Sequence, residues 1–228
     1  MKISTSKSQS ANDSLVHKSG PLMIILGGFC VILIIAVYVW LISDGQWTNW
    51  RTPTAYYYRL AQSFDNGQLS LQEPTDPRLL TLSDPYENTD LRKSISFPRD
   101  ASFYNGKFYF YWGPVPALIL SLIIPFYDGQ IGDHYLLFAF LLGLLFFNIL
   151  ILKAVWDDYF KTLPVWTFFL CVLLIGLVNP IPWIINRHSI YEAAISSGQF
   201  FFVGGLYWVY TAFRKPPLSL IIIIRTER

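Results

Sequence analysis

Residues 21–42 read PLMIILGGFCVILIIAVYVWLI, a run of 22 residues without a charged side chain. At 1.5 Å per residue a helix of that length reaches about 33 Å, enough to cross a hydrocarbon core of roughly 30 Å. The run predicts a first transmembrane helix. It follows a polar tail, residues 1–20, with Lys2, Lys7 and Lys18. No small-x-small cleavage pattern stands at its far end, which continues Trp40-Leu41-Ile42-Ser43-Asp44. The combination predicts an uncleaved signal anchor.

Three further apolar runs are long enough to cross: Tyr135 to Leu152, Val165 to Ile185 and Ala193 to Phe213. A fifth, Pro217 to Ile224, is cut off by Arg225 and the chain end. The expected class is therefore an all-α integral membrane protein. It is a multi-span helical bundle with a first span at 21–42, three spans within 134–216 and a truncated start of another at 217–228.

Composition agrees. Of the 228 residues 53% are hydrophobic and 14% charged, against about 25% charged in a typical soluble domain, so surplus apolar surface has to face lipid. The net charge of +2 and the lack of any basic run argue against a nucleic-acid partner. Cys30 and Cys171 each sit inside an apolar run, as small hydrophobes and not as a disulfide or metal framework.

Orientation follows from Lys and Arg near the span ends, which collect in the cytoplasm. The stretch Gly113 to Phe126 is apolar but has only 14 residues and opens on Gly113, Pro114 and Pro116, so it reads as a helix lying on the membrane. With it not crossing, Lys153, Lys161, Arg214 and Lys215 join the N-terminal lysines inside, and only Arg187 lies in the short outer connection. The expected topology is a cell-membrane, multi-pass chain with a cytoplasmic N-terminus and a long extracytoplasmic loop, residues 43–133. On this topology Trp156-Asp157-Asp158 should be a solvated cytoplasmic loop.

In the outer loop, Thr52 and Pro53 form a helix start and Gly67 a stop, predicting a juxtamembrane helix over 52–66. Tyr57, Leu60, Ala61 and Phe64 share one face of it, suited to lying on the membrane or on the spans, which turns Arg59 elsewhere, toward lipid phosphates. Gln72 to Arg99 is rich in Pro, Asp, Ser and Thr and predicts turns. Asn105-Gly106 between aromatic runs predicts a type I′ hairpin, leading into the second juxtamembrane helix at 113–126.

Two stretches together, Tyr56-Tyr57-Tyr58-Arg59-Leu60-Ala61-Gln62-Ser63-Phe64-Asp65 and Asp100-Ala101-Ser102-Phe103-Tyr104-Asn105-Gly106-Lys107 running on to Tyr111-Trp112-Gly113-Pro114, resemble the GT-C type bacterial membrane glycosyltransferases. That family includes protein O-mannosyltransferases and the aminoarabinose transferase. The resemblance spans roughly residues 35 to 215 in order and spacing. It implies a chain, or the N-terminal fragment of one, that moves a sugar from a polyprenyl-phosphate donor to an acceptor on the outer membrane face. Such a reaction needs a base for the acceptor hydroxyl, and positive charge or a divalent metal at the departing phosphate. The sequence departs from the family at Thr52-Pro53-Thr54-Ala55, where relatives carry an acidic residue at the start of the first juxtamembrane helix.

Candidate residues follow. Glu192 heads the last long span, where the resemblance implies a carboxylate, and Asp100 precedes the hairpin; both are expected as catalytic acid/base groups. Arg59, Lys107, Arg187 and His188 are expected to serve the substrate. On a helix His188 and Glu192 would share a face. The plainer alternative pairs Arg187 with Glu192 or lets both reach the headgroups. The expected partners are membrane lipids and a polyprenyl-phosphate-linked sugar. The alternative overall is a non-catalytic membrane protein whose outer loop binds envelope components.

Overall fold

The computed structural model describes residues 6–50, 54–87, 89–98, 100–178, 180–187 and 189–214, with side chains from residue 23 onward. The chain is mostly helical. In order it forms α1 (Ser6–Ile42), α2 (Tyr56–Asp65), α3 (Asp90–Lys93), β1 (Ala101–Tyr104), β2 (Lys107–Phe110), α4 (Val115–Ser121), α5 (Asp133–Tyr159), α6 (Val165–Leu177), α7 (Ile181–Arg187) and α8 (Ile190–Arg214), with 3-10 turns at Pro77–Thr81 and Ile124–Phe126. Among the described residues three stretches are long and apolar enough to cross a membrane: Met23–Ile42, Asp133–Tyr159 and Val165–Arg187. The third passes through both α6 and α7. Pro180 and Pro182, which lack the N–H that an unbroken ladder needs, stand where one helix gives way to the other. The expected fourth span falls within α8, which has 25 residues. Ser196, Ser197 and Gln199 dilute its apolar run, and it is not one of the three. The run from Pro217 lies outside the described residues.

The chain divides into two compact units. The first comprises Met1–Trp50, Leu141–Asn186 and Phe200–Arg228. Its core is a stripe on α1, Cys30, Ile34, Tyr38 and Ile42, spaced by four so that all fall on one helix face, and all buried. This stripe packs on α6, where Val172 and Gly176 are likewise buried. The fit is close, because a methyl at Gly176 would lie 2.6 Å from Ile34 Cδ1. Tyr38 also donates its hydroxyl hydrogen to the Gly176 carbonyl at 2.9 Å. Elsewhere on α1, Ile24, Ile25, Phe29 and Ile32 are exposed, the apolar outer surface of a helix whose solvent is lipid.

The Trp156-Asp157-Asp158 stretch is helical and belongs to the end of α5, not to a loop. Lys153 pairs with Asp157 one turn on, and Asp158 accepts from the Tyr210 hydroxyl at 2.6 Å and from Arg214. With both carboxylates partnered, the helix continues to Tyr159.

The second unit is Arg51–Phe140 with Arg187–Gln199. Helix α2 begins at Tyr56, with Ala55 at its N-cap, later than the expected start at 52; Thr52 and Pro53 lie outside the described residues. The first N–H groups are taken by a remote side chain: Asp133 Oδ2 accepts from Tyr56 N at 3.0 Å and Oδ1 from Tyr57 N at 3.1 Å. Thr54 returns the contact, its carbonyl accepting from Asp133 N at 2.9 Å. On α2, Tyr57, Leu60, Ala61 and Ser63 are buried and Phe64 only partly so. This face packs on α4, whose Pro116, Ala117 and Leu120 are buried. Outward from α4 and the turn after it, Val115, Leu118, Leu122 and Phe126 are exposed.

The two strands pair antiparallel from Ala101↔Phe110 to Tyr104↔Lys107. Asn105 and Gly106 fill the turn with φ of 51° and 75°. Both central residues of a type I′ turn require positive φ, which Asn tolerates and Gly adopts freely. The preceding excursion is irregular but fastened: Leu71 N donates to the Phe108 carbonyl at 2.8 Å, and Thr75 Oγ1 to the Gly106 carbonyl at 2.7 Å. Asp76 caps the 3-10 turn at the Arg78 N–H, and its hydrogen-bonded pairing with the Arg78 guanidinium holds its carboxyl below the usual range. Tyr86, Phe97, Phe103 and Phe108 form an aromatic cluster against the hairpin, with the Arg92 guanidinium 4.0 Å from the Phe97 ring centre.

Candidate functional site

Two arrangements in the second unit carry chemistry. In the first, Asp100 has φ of 58°, a left-handed conformation that a short polar residue tolerates better than most. Its Oδ1 accepts from the Tyr191 hydroxyl at 2.7 Å. Tyr191 is in the first turn of α8, and its hydroxyl lies 3.2 Å from that of Tyr111. Trp112 packs edge-on to Tyr191 with ring centres 4.2 Å apart. The residue after Tyr191 is Glu192, which is buried and accepts from the Ser189 hydroxyl. A carboxylate in the first turn of a helix is favoured by the positive end of the helix dipole. The two expected carboxylates are thus brought to one helix start, Asp100 through Tyr191 and Glu192 directly.

The second arrangement is a cleft of about 480 Å³ lined by Thr54, Tyr56, Arg59, Glu73, Phe97 and Phe108, with Pro74, Ser96 and Pro98 completing it. Arg59 Nη1 meets Glu73 Oε1 at 2.6 Å, and its guanidinium lies 5.6 Å from the Tyr56 ring centre. Arg59 therefore faces a carboxylate of its own chain. Of the remaining expected residues, Lys107 is exposed at the start of β2, Arg187 is exposed at the end of α7, and His188 lies outside the described residues. Among the described residues no three His, Cys, Asp or Glu side chains converge as a metal cluster would require.

Sequence reasoning missed Tyr111 and Tyr191 as the link between loop and helix, because nothing in their spacing relates positions 80 residues apart. It also missed Asp133. The signal there is an acidic residue directly before an apolar span, which reads as a cap for its own helix and says nothing of the α2 terminus it occupies. Burial, and then the charge of Asp133, push the Tyr57 phenol above its ordinary range.

Comparison of the chain with family profiles, with curated proteins and with solved structures gives no match.

Proposed function

We propose that the chain is a membrane glycosyltransferase, or the N-terminal part of one, that transfers a sugar from a polyprenyl-phosphate donor to an acceptor on the outer face of the cell membrane. The observation that carries this reading is the Asp100–Tyr191 hydrogen bond at 2.7 Å, which joins the end of the outer excursion to the helix start bearing Glu192. In this reading one carboxylate removes the acceptor hydroxyl proton, the oxygen attacks the anomeric carbon, and the bond to the donor phosphate breaks. Glu192 and Asp100 are the carboxylates available for that step. The exposed apolar face of Val115, Leu118, Leu122 and Phe126 supports a helix resting on the lipid surface, and the Lys and Arg residues near the span ends support a loop outside and an N-terminus in the cytoplasm. In this topology α8 serves as a fourth span.

The test supplies radiolabelled polyprenyl-phosphate sugar to membranes containing the protein and compares it with Glu192→Gln and Asp100→Asn. Transfer that falls at least tenfold in one of them supports the reading; transfer equal in all three removes both carboxylates from the mechanism. A second reading, a non-catalytic envelope protein, is favoured by the engagement of Arg59 with Glu73, which occupies a cation expected to serve the donor phosphate. Membranes that show no transfer with any supplied donor would favour it.

A further inference from the structure

The cleft beside α2 has a composition that selects among ligands. Among the described residues its lining holds one guanidinium and one carboxylate, Arg59 and Glu73, which meet at 2.6 Å, so that lining offers no net charge to an anion. A phosphate entering here would meet Arg59 only beside Glu73, whose charge repels it. Neither group is used up by the pair. Arg59 has five N–H donors and an ionised Glu73 roughly four lone-pair directions, and the pair is partly exposed, at 45% and 29% of the side-chain surface, so both remain able to bond hydroxyls. Ser96 adds a hydroxyl to the lining.

Opposite in character are the rings of Tyr56 and Phe97, both partly exposed, while Phe108 is buried. They are fixed in place: Phe97 and Phe108 meet edge to face at 4.9 Å, as do Tyr56 and Phe110, and Arg92 lies against Phe97. Rings held this way receive a ligand without the entropy cost of ordering them on binding. A ligand suited to such walls bears hydroxyls on its edges, polarised C–H groups on its faces, and no charge. That is a description of a pyranose ring, and the volume of about 480 Å³ is within the range of small-molecule sites, roughly 300–1,000 Å³.

We propose that this cleft binds a neutral saccharide, with Phe97 as the stacking surface and the Arg59–Glu73 pair as the hydroxyl-bonding group. The inference goes beyond the transferase reading and depends on the second unit alone. The experiment uses the full chain in lipid nanodiscs. Saturation-transfer NMR is recorded with methyl α-D-mannopyranoside and methyl α-D-glucopyranoside, and phosphorus line broadening with inorganic phosphate. The expected result is saturation of the ring protons of at least one hexoside, weakened at least fivefold by Phe97→Ala, with no broadening of phosphate.

Glu73→Gln is the second variant, chosen because it keeps side-chain size and so keeps the falsifying power if Phe97→Ala does not fold. It should weaken hexoside binding at least threefold and, by leaving Arg59 uncompensated, confer phosphate broadening. Saturation of neither hexoside, hexoside binding unchanged by Glu73→Gln, or phosphate broadening in the unaltered chain that disappears in Arg59→Ala would each overturn the proposal. The last would make the cleft an anion site. Because binding is read without transfer, a chain that binds hexoside yet transfers nothing overturns the transferase reading alone.

Discussion

Asp133 caps a helix that begins 77 residues before it, its two carboxylate oxygens accepting the N–H groups of Tyr56 and Tyr57. A helix terminus leaves its first N–H groups without intrahelical partners, and here the Tyr57 N–H is buried as well. Asp133→Ala should therefore cost about 1–3 kcal/mol, whereas Asp133→Asn, which retains one carbonyl acceptor but sets an NH2 donor against the other N–H, should cost about half as much or more. Thermal unfolding in detergent, followed by circular dichroism, measures both. An unchanged melting temperature in Asp133→Ala would show that the cap contributes nothing to stability.

Tyr57 lies beneath that cap with its hydroxyl buried and without a hydrogen-bond partner among the described residues. Tyr57→Phe removes an unsatisfied polar atom and should leave stability unchanged or raise it by about 1 kcal/mol. The pH dependence has a definite sign. The folded-state pKa is raised, so the protection it confers is present below the ordinary tyrosine value of about 10 and lost as pH rises above it. Alkaline unfolding of the Phe variant should thus begin at higher pH than that of the unaltered chain.

In the first unit, Gly176→Ala would set a methyl 2.6 to 2.8 Å from three side-chain carbons of Ile34. The whole Ile34 side chain must move, at about 1–3 kcal/mol. Gly28→Ala is the matched control on α1, with nothing within 4 Å of the added carbon, and should be neutral or stabilising by up to about 1 kcal/mol through helix propensity. Apparent melting temperatures in one detergent decide it: loss at 176 with none at 28.

Orientation is tested by cysteine labelling in a chain freed of Cys30 and Cys171. A membrane-impermeant maleimide added from outside should reach a cysteine introduced at Tyr127 and miss one at Asp157. The reverse pattern would show that the segment from Gly113 to Phe126 crosses the membrane.

Three of the apolar runs were legible because lipid imposes a length and a composition that each segment satisfies by itself. Asn105-Gly106 was legible for a similar reason: the turn demands positive φ at both positions, and few residue pairs supply it. The α2 start was not. Thr52 and Pro53 carry local start signals, yet the cap comes from Asp133, and no local pattern encodes a contact across 77 residues. The polar end of α5 was misread as a loop because Asp157 and Asp158 suggest one; paired with Lys153 and Arg214 they stay partly solvated yet helical. Of the candidate site, Asp100 and Glu192 were legible as isolated carboxylates near apolar helices. Their common link through Tyr191 was not, and neither was the engagement of Arg59 by Glu73.

The cap on α2 also sets an order of assembly. During synthesis residues 56–65 leave the ribosome long before residue 133 does, so the nascent helix spends that interval with its leading N–H groups facing water or the translocation machinery. Only when the start of α5 arrives can the helix close, and with it the surface that receives α4. Completion of the segment between α1 and α5 is in this sense timed by the synthesis of the start of α5, and a chain halted anywhere between 66 and 132 would carry that segment unfinished.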